Sequence, residues 1–142
     1  MILYLDTSAL VKLYVEEDGS AVVGSWVRDA EAVATVRIAY AEARAAFARH
    51  QRDGALTAAH LRRVVTLLDA DWGRYSALEV TDALVRNAGR LAERHALRGF
   101  DAVHLAAAIE LREPGTRVAF GCFDERLNHA ARRERLAPLA QP

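Results

Sequence analysis

Four acidic residues, Asp6, Glu42, Asp101 and Asp124, are the part of this sequence best suited to chemistry. Carboxylates are hard oxygen donors, and several gathered in one place suit Mg²⁺ or Mn²⁺. One or two such ions can activate water, steady a leaving oxygen and hold a phosphate in line, with no serine, cysteine or histidine nucleophile. Without a cation the same gathering is costly, because burial and like charge both push carboxyl pKa values up. Each acid also has a purely structural role open to it. Asp is a favoured helix N-cap and complements the helix dipole. Asp6, Asp101 and Asp124 all fall at or just inside the start of an expected helix. Glu42 resists that explanation. On a helix it shares a face with Ile38, Ala39, Ala45 and Ala46, so it points inward. Inward acids are uncommon unless paired or bound to metal. Arg49 lies on the same face and is the alternative partner. His104, one turn after Asp101, is either a partner of the acids or a satisfied core histidine.

The elements that must hold these residues can be read from pattern. Ile2–Leu5 is a short apolar strand, and Asp6-Thr7-Ser8 opens a helix through Leu10, Leu13 and Tyr14. Further helices are expected from Ser20, from about Val36 to Arg52, after the Thr57 cap, after Thr81-Asp82, from Phe100 to about Leu111, and from Asp124 to Arg135. Strands are expected at Ala32–Thr35, Ala77–Val80 and Arg117–Phe120, with a short edge strand at Ala137–Leu139. The helix from Phe100 is apolar nearly all round, the mark of a buried helix. Short strands alternating with helices predict an α/β fold: a parallel four- to five-stranded sheet flanked by helices on both faces. In such a sheet the strand-to-helix junctions gather at the carboxyl edge, where ligands bind.

Composition narrows the classes. With 142 residues, 52% hydrophobic, the chain predicts one domain over 1–142. Its 19 acids balance 19 Lys and Arg, so bulk charge marks no nucleic-acid binder. Setting the four candidate acids aside leaves a mildly basic body, which suits a polyanion. Lys12 is the only lysine; the other basic residues are arginines. Cys122 is the only cysteine, which excludes an intrachain disulfide and a cysteine zinc site and fits a cytoplasmic protein. The apolar start is broken at once by Asp6 and reads as no signal peptide, and no stretch reads as a membrane span.

Four blocks in order resemble the PIN-domain nucleases, and in particular their VapC-type toxins. They are Tyr4-Leu5-Asp6-Thr7-Ser8-Ala9-Leu10, then Thr35 through Tyr40-Ala41-Glu42-Ala43-Arg44-Ala45-Ala46, then Leu97-Arg98-Gly99-Phe100-Asp101-Ala102-Val103-His104-Leu105-Ala106, and Phe123-Asp124-Glu125-Arg126-Leu127 with Ala130-Ala131. The resemblance implies a PIN-like three-layer fold and a metal-dependent endoribonuclease using Mg²⁺ or Mn²⁺. It implies an RNA substrate, a VapB-type antitoxin, a homodimer, and Asp6, Glu42, Asp101 and Asp124 as metal ligands. Thr7 and Ser8 become supporting hydroxyls. Cys122 stands where the family often has Ser or Thr, which puts that auxiliary contact in doubt. For a dimer, Leu10, Leu13, Tyr14, Val23 and Trp26 on the first two helices are candidates, although core packing explains them equally well. A second possibility is a catalytically weak PIN-like protein acting mainly as an antitoxin or RNA-binding partner; the presence of all four acids argues against it. A haloacid-dehalogenase-like or phospho-receiver domain fits less well, since Ser8 replaces the second acid and no late lysine exists.

Overall fold

In the computed structural model, residues 1–140 are described. Eleven elements follow one another among them: β1 (Ile2–Leu5), α1 (Thr7–Val11), α2 (Ser20–Asp29), β2 (Ala32–Val36), α3 (Ala39–Arg52), α4 (Ala58–Trp72), β3 (Ser76–Leu78), α5 (Asp82–His95), α6 (Gly99–Glu110), β4 (Val118–Gly121) and α7 (Glu125–Arg133). The strands form one parallel sheet in the order β3-β2-β1-β4. The expected single domain over 1–142 extends onto residues 141–142, outside those described.

The apolar runs become strands because both sheet faces are covered. Leu3, Tyr4 and Leu5 are fully buried in β1, and all four residues of β4 are buried. The helices form two packed groups. One joins α1 to α2 and α3, and α3 to α4; the other joins α6 to α5 and α7. As its composition predicts, α6 buries Ala102, His104, Leu105, Ala106, Ala107 and Ala108 and packs on β2 and β4.

The structure moves several expected boundaries. β2 runs on to Val36, which pairs with Leu78, and the Arg37 N–H still donates to the Leu78 carbonyl at 2.8 Å. The chain therefore leaves the sheet before α3 can start, at Ala39 rather than Val36. β3 ends at Leu78, short of Val80, because β2 ends opposite it. α1 stops at Val11. Lys12 and Leu13 then bond back three residues, to the Ala9 and Leu10 carbonyls, so Leu13 and Tyr14 lie in a tight turn. The edge strand expected at Ala137–Leu139 shrinks to one bridge, Ala119 with Ala137. Leu10, Val23 and Trp26 are buried core residues, and Leu13 and Tyr14 are partly buried and pack against that core.

Two glycines are needed where backbone and ring meet. A Cβ on Gly121, at the end of β4, would sit 2.7 Å from Leu5 Cδ2. At Gly19, φ is +94°, and a Cβ there would lie 2.7 Å from the Phe123 ring. Both contacts press the end of β4 and the segment after it onto β1 and α2.

Candidate active site

Asp6 follows β1 directly. Its N–H donates to the Gly121 carbonyl at 3.0 Å, continuing the β1–β4 ladder by one step. Its side chain caps α1: Oδ1 accepts from Ala9 N at 2.9 Å and from Ser8 Oγ at 2.7 Å. The structural role open to it is thus realised, yet Oδ2 accepts no hydrogen bond from the described residues. Asp6 is 5% exposed, and burial raises its pKa against the lowering pull of His104 and the Ser8 and Ala9 bonds; Asp101 adds to the rise.

Glu42 lies in the first turn of α3, where a carboxylate also faces the favourable end of the helix dipole. Its partner is His104, with Arg49 left as a neighbour in the cleft. Glu42 Oε1 lies 2.9 Å from His104 Nε2 and accepts from Thr7 Oγ1 at 2.8 Å. His104 is 2% exposed, and its Nδ1 lies 2.8 Å from the Tyr4 hydroxyl. The two ring nitrogens of His104 are thus both engaged, Nδ1 by the Tyr4 hydroxyl and Nε2 by the Glu42 carboxylate. Burial pushes the Glu42 carboxyl up, and the bonds from His104 and Thr7 outweigh it, leaving the pKa lowered. Glu42 is half-buried rather than fully inward, and its Oε2 accepts no hydrogen bond from the described residues.

Asp101 enters from the first turn of α6. Burial raises its pKa, and repulsion from Asp124 raises it further, partly offset by Arg98, whose Nε is 3.9 Å from Oδ2. Asp124 caps α7, accepting from Leu127 N at 2.8 Å through Oδ1, and is exposed. Its backbone is held by Cys122: Asp124 N donates to Sγ and Sγ donates to the Asp124 carbonyl, both at 3.3 Å. The thiol is fully buried, and burial raises its pKa. Cys122 acts on the turn that carries Asp124 and does not line the cleft. Phe123 beside it stacks on Trp26 with ring centres 5.6 Å apart and lies under the Lys12 ammonium at 4.5 Å.

All four acids, with Thr7, Ser8 and His104, line one open cleft of about 1110 Å³. Arg49, Arg98, Phe100 and Phe123 join them there. Among the described residues, no three His, Cys, Asp or Glu side chains lie close enough together to cage an ion. The carboxylates surround the cleft without closing on one point. Such an open set suits Mg²⁺, which keeps several waters and takes only one or two protein carboxylates. Every acid keeps at least one oxygen uncommitted, and two of the four have raised pKa values. An oxygen-rich cleft of this kind fits a divalent cation.

Tyr4 is the residue the sequence hid. Its signal is a hydroxyl in a strand that is otherwise aliphatic, where a buried O–H must find a partner.

The PIN domain family matches residues 3–133. Ribonuclease VapC45 of Mycobacterium tuberculosis (strain CDC 1551 / Oshkosh) is 38% identical over 130 residues, covering 92% of this chain and 89% of that protein. Ribonuclease VapC49 of Mycobacterium tuberculosis (strain ATCC 25618 / H37Rv) matches with the same identity and coverage. Ribonuclease VapC35 of the same species is 31% identical over 138 residues, covering 97% of this chain and 96% of that protein. Among solved structures, FitAcB from Neisseria gonorrhoeae is similar with a TM-score of 0.66 at 19% identity, covering 99% of this chain and 97% of that one. That likeness is one of fold. With the family match spanning nearly the whole chain and relatives well above 30% identity, the chain belongs to the PIN-domain family, alongside its VapC-type ribonucleases.

Proposed function

We propose that the protein is an Mg²⁺- or Mn²⁺-dependent endoribonuclease, the toxin of a toxin–antitoxin pair, acting in the cytoplasm on RNA phosphodiester bonds. One observation carries this: acids from four separate elements line a single cleft, each with a free carboxylate oxygen. Of Asp6, Glu42, Asp101 and Asp124, one or two would hold the ion directly and the others through its waters. When bound, it supplies the positive charge that makes water nucleophilic and steadies the phosphate oxygens. The chain's own work is positional. Ser8 and the start of α1 fix one Asp6 oxygen and leave the other to the cleft. Tyr4, His104 and Thr7 fix one Glu42 oxygen in the same way. The Cys122 turn holds the backbone of Asp124.

The relatives named as VapC ribonucleases support the activity and an antitoxin partner of the VapB type. A second copy of the chain is the other proposed partner. Among the described residues, no helix is long and apolar enough to cross a membrane.

The test is cleavage of structured RNA by purified, antitoxin-free protein. Cleavage should stop in excess chelator and return with Mg²⁺ or Mn²⁺. Induced expression should slow bacterial growth, and Asp6→Asn should remove that effect. Cleavage that persists in excess chelator overturns the metal mechanism.

A further inference from the structure

Beside the acid cleft lies a second one of about 630 Å³ that shares Arg98, Asp101 and Asp124 with it. Its far wall is the exposed face of α7: Arg126, His129 and Arg132, three residues apart and therefore on one side of the helix. Among the described residues, none of these three has a carboxylate within ion-pair distance. Some surface arginines elsewhere are matched, such as Arg37 with Glu79, Arg86 with Asp82 and Arg94 with Glu134, while Arg62 and Arg63 on α4 are not. Arg126 makes one long bond, 3.4 Å to the Ala96 carbonyl, which rests it against the α5–α6 connection and leaves most of its donors free. Across the cleft Arg98, with its side chain 88% exposed, overlooks Asp101. Glu125 also lines this cleft and offsets part of the charge.

We infer that this basic face of α7, with Arg98 opposite, is the track for the backbone phosphates of the RNA strand running into the acid cleft. The inference rests on the nuclease reading, since it places the scissile phosphate at the acids. Once Asp101 and Asp124 are neutralised by a cation, the remaining lining is Arg98, Arg126 and Arg132 against Glu125. From Arg126 to Arg132 is roughly 9 Å along the helix axis. The charges are thus spread along a strand instead of gathered on one phosphate. Guanidinium groups suit phosphate by their planar fork of donors. An acidic antitoxin segment would find the same charges, but it would have no use for their continuity with the acids. Arg62 and Arg63, an exposed arginine pair on α4, line neither cleft.

The experiment measures affinity for a single-stranded RNA oligonucleotide as a function of salt, at fixed saturating Ca²⁺ without Mg²⁺ or Mn²⁺, so that the acids are neutralised, with the RNA shown on a gel to stay intact. Three proteins are compared: wild type, Arg126→Ala/Arg132→Ala, and the control Arg62→Ala/Arg63→Ala. Each phosphate contact contributes about 0.7 to the slope of log affinity against log salt on single strands. The α7 pair should flatten the slope by about 1.4, and the control should keep the wild-type slope. An unchanged slope in the α7 pair, or equal flattening in the control, overturns the proposal. So does an unchanged slope accompanied by weakened binding of an acidic peptide. Cleavage by wild type with Mg²⁺ decides the nuclease reading separately. A protein that cuts RNA but shows no slope change refutes the basic track alone.

Discussion

Asp101→Asn should make the metal-free protein more stable, and it should do so by removing the reason metal binds. Asp101 is half-buried, its pKa is raised first by burial and then by Asp124, and Glu42 adds a smaller push. Asparagine keeps the shape and removes the charge. Repulsion between carboxylates several Å apart at a partly wetted surface is on the order of 1 kcal/mol. For a domain of this size that corresponds to about 4 °C in melting temperature. Asp101 binds its proton more tightly folded than unfolded. Its favourable contribution is therefore complete below the unfolded carboxyl pKa and disappears as pH rises through the folded one. The variant's advantage should vanish in acid, where wild type is protonated too, and be full at neutral pH. Mg²⁺ at a hundred times its dissociation constant should stabilise wild type by about 2.7 kcal/mol, close to 10 °C. The variant should gain much less. Thermal melts of both proteins, with chelator and with Mg²⁺, at acid and neutral pH, check all of this. A variant that melts at or below wild type in chelator, and still gains the full Mg²⁺ shift, refutes the shared charge cluster.

Tyr4→Phe leaves the buried His104 Nδ1 without its hydroxyl partner and should cost about 1–3 kcal/mol of stability. Combined with Thr7→Val, the loss should be non-additive by more than about 0.5 kcal/mol, because both residues act on Glu42 through one network. Strict additivity in a double-mutant cycle would count against that network. Far from the cleft, Glu134 accepts from His95 Nε2 at 2.6 Å and from Arg94 Nη1 at 2.8 Å. Burial pushes its pKa up, and those two bonds more than reverse it. A depressed carboxyl pKa means stability that is present above the unfolded value, about 4.3, and lost as pH falls through the folded one. Glu134→Gln should therefore lose about 1–2 kcal/mol at neutral pH and show a shallower acid transition, measured by urea unfolding across pH.

The sequence made most of the fold legible because its elements announce themselves locally. Thr57, Thr81 and Asp124 cap the helices they were expected to cap, with bonds of 3.1, 3.1 and 2.8 Å. The all-round apolar pattern of α6 correctly marked it as buried. What escaped was set by partners distant in the chain. The start of α3 depends on Arg37 bonding to Leu78, which no local pattern carries. The partner of Glu42 was open between arginine and metal, and the structure supplies a histidine sixty-two positions away. That histidine is held in turn by Tyr4, one hundred positions from it. Cys122 was flagged by its departure from a hydroxyl residue. Only the geometry shows that its thiol bonds to the Asp124 backbone.

The position of β1 between β2 and β4 has a consequence in time. Its first partner, β2, follows within a short stretch of chain, but the other edge, Ile2 through Leu5, pairs with Val118 through Gly121. During synthesis that edge stays bare, and Asp6 lacks both the Gly121 carbonyl and the loop bearing Asp124, until nearly the whole chain has emerged. Such long-range pairing forms late, and the intermediates before it are incomplete. A ribosome-bound or C-terminally truncated chain thus has no assembled acid cleft. The cleft is therefore a late product of folding: the edge that completes it is made long after the strand it pairs with.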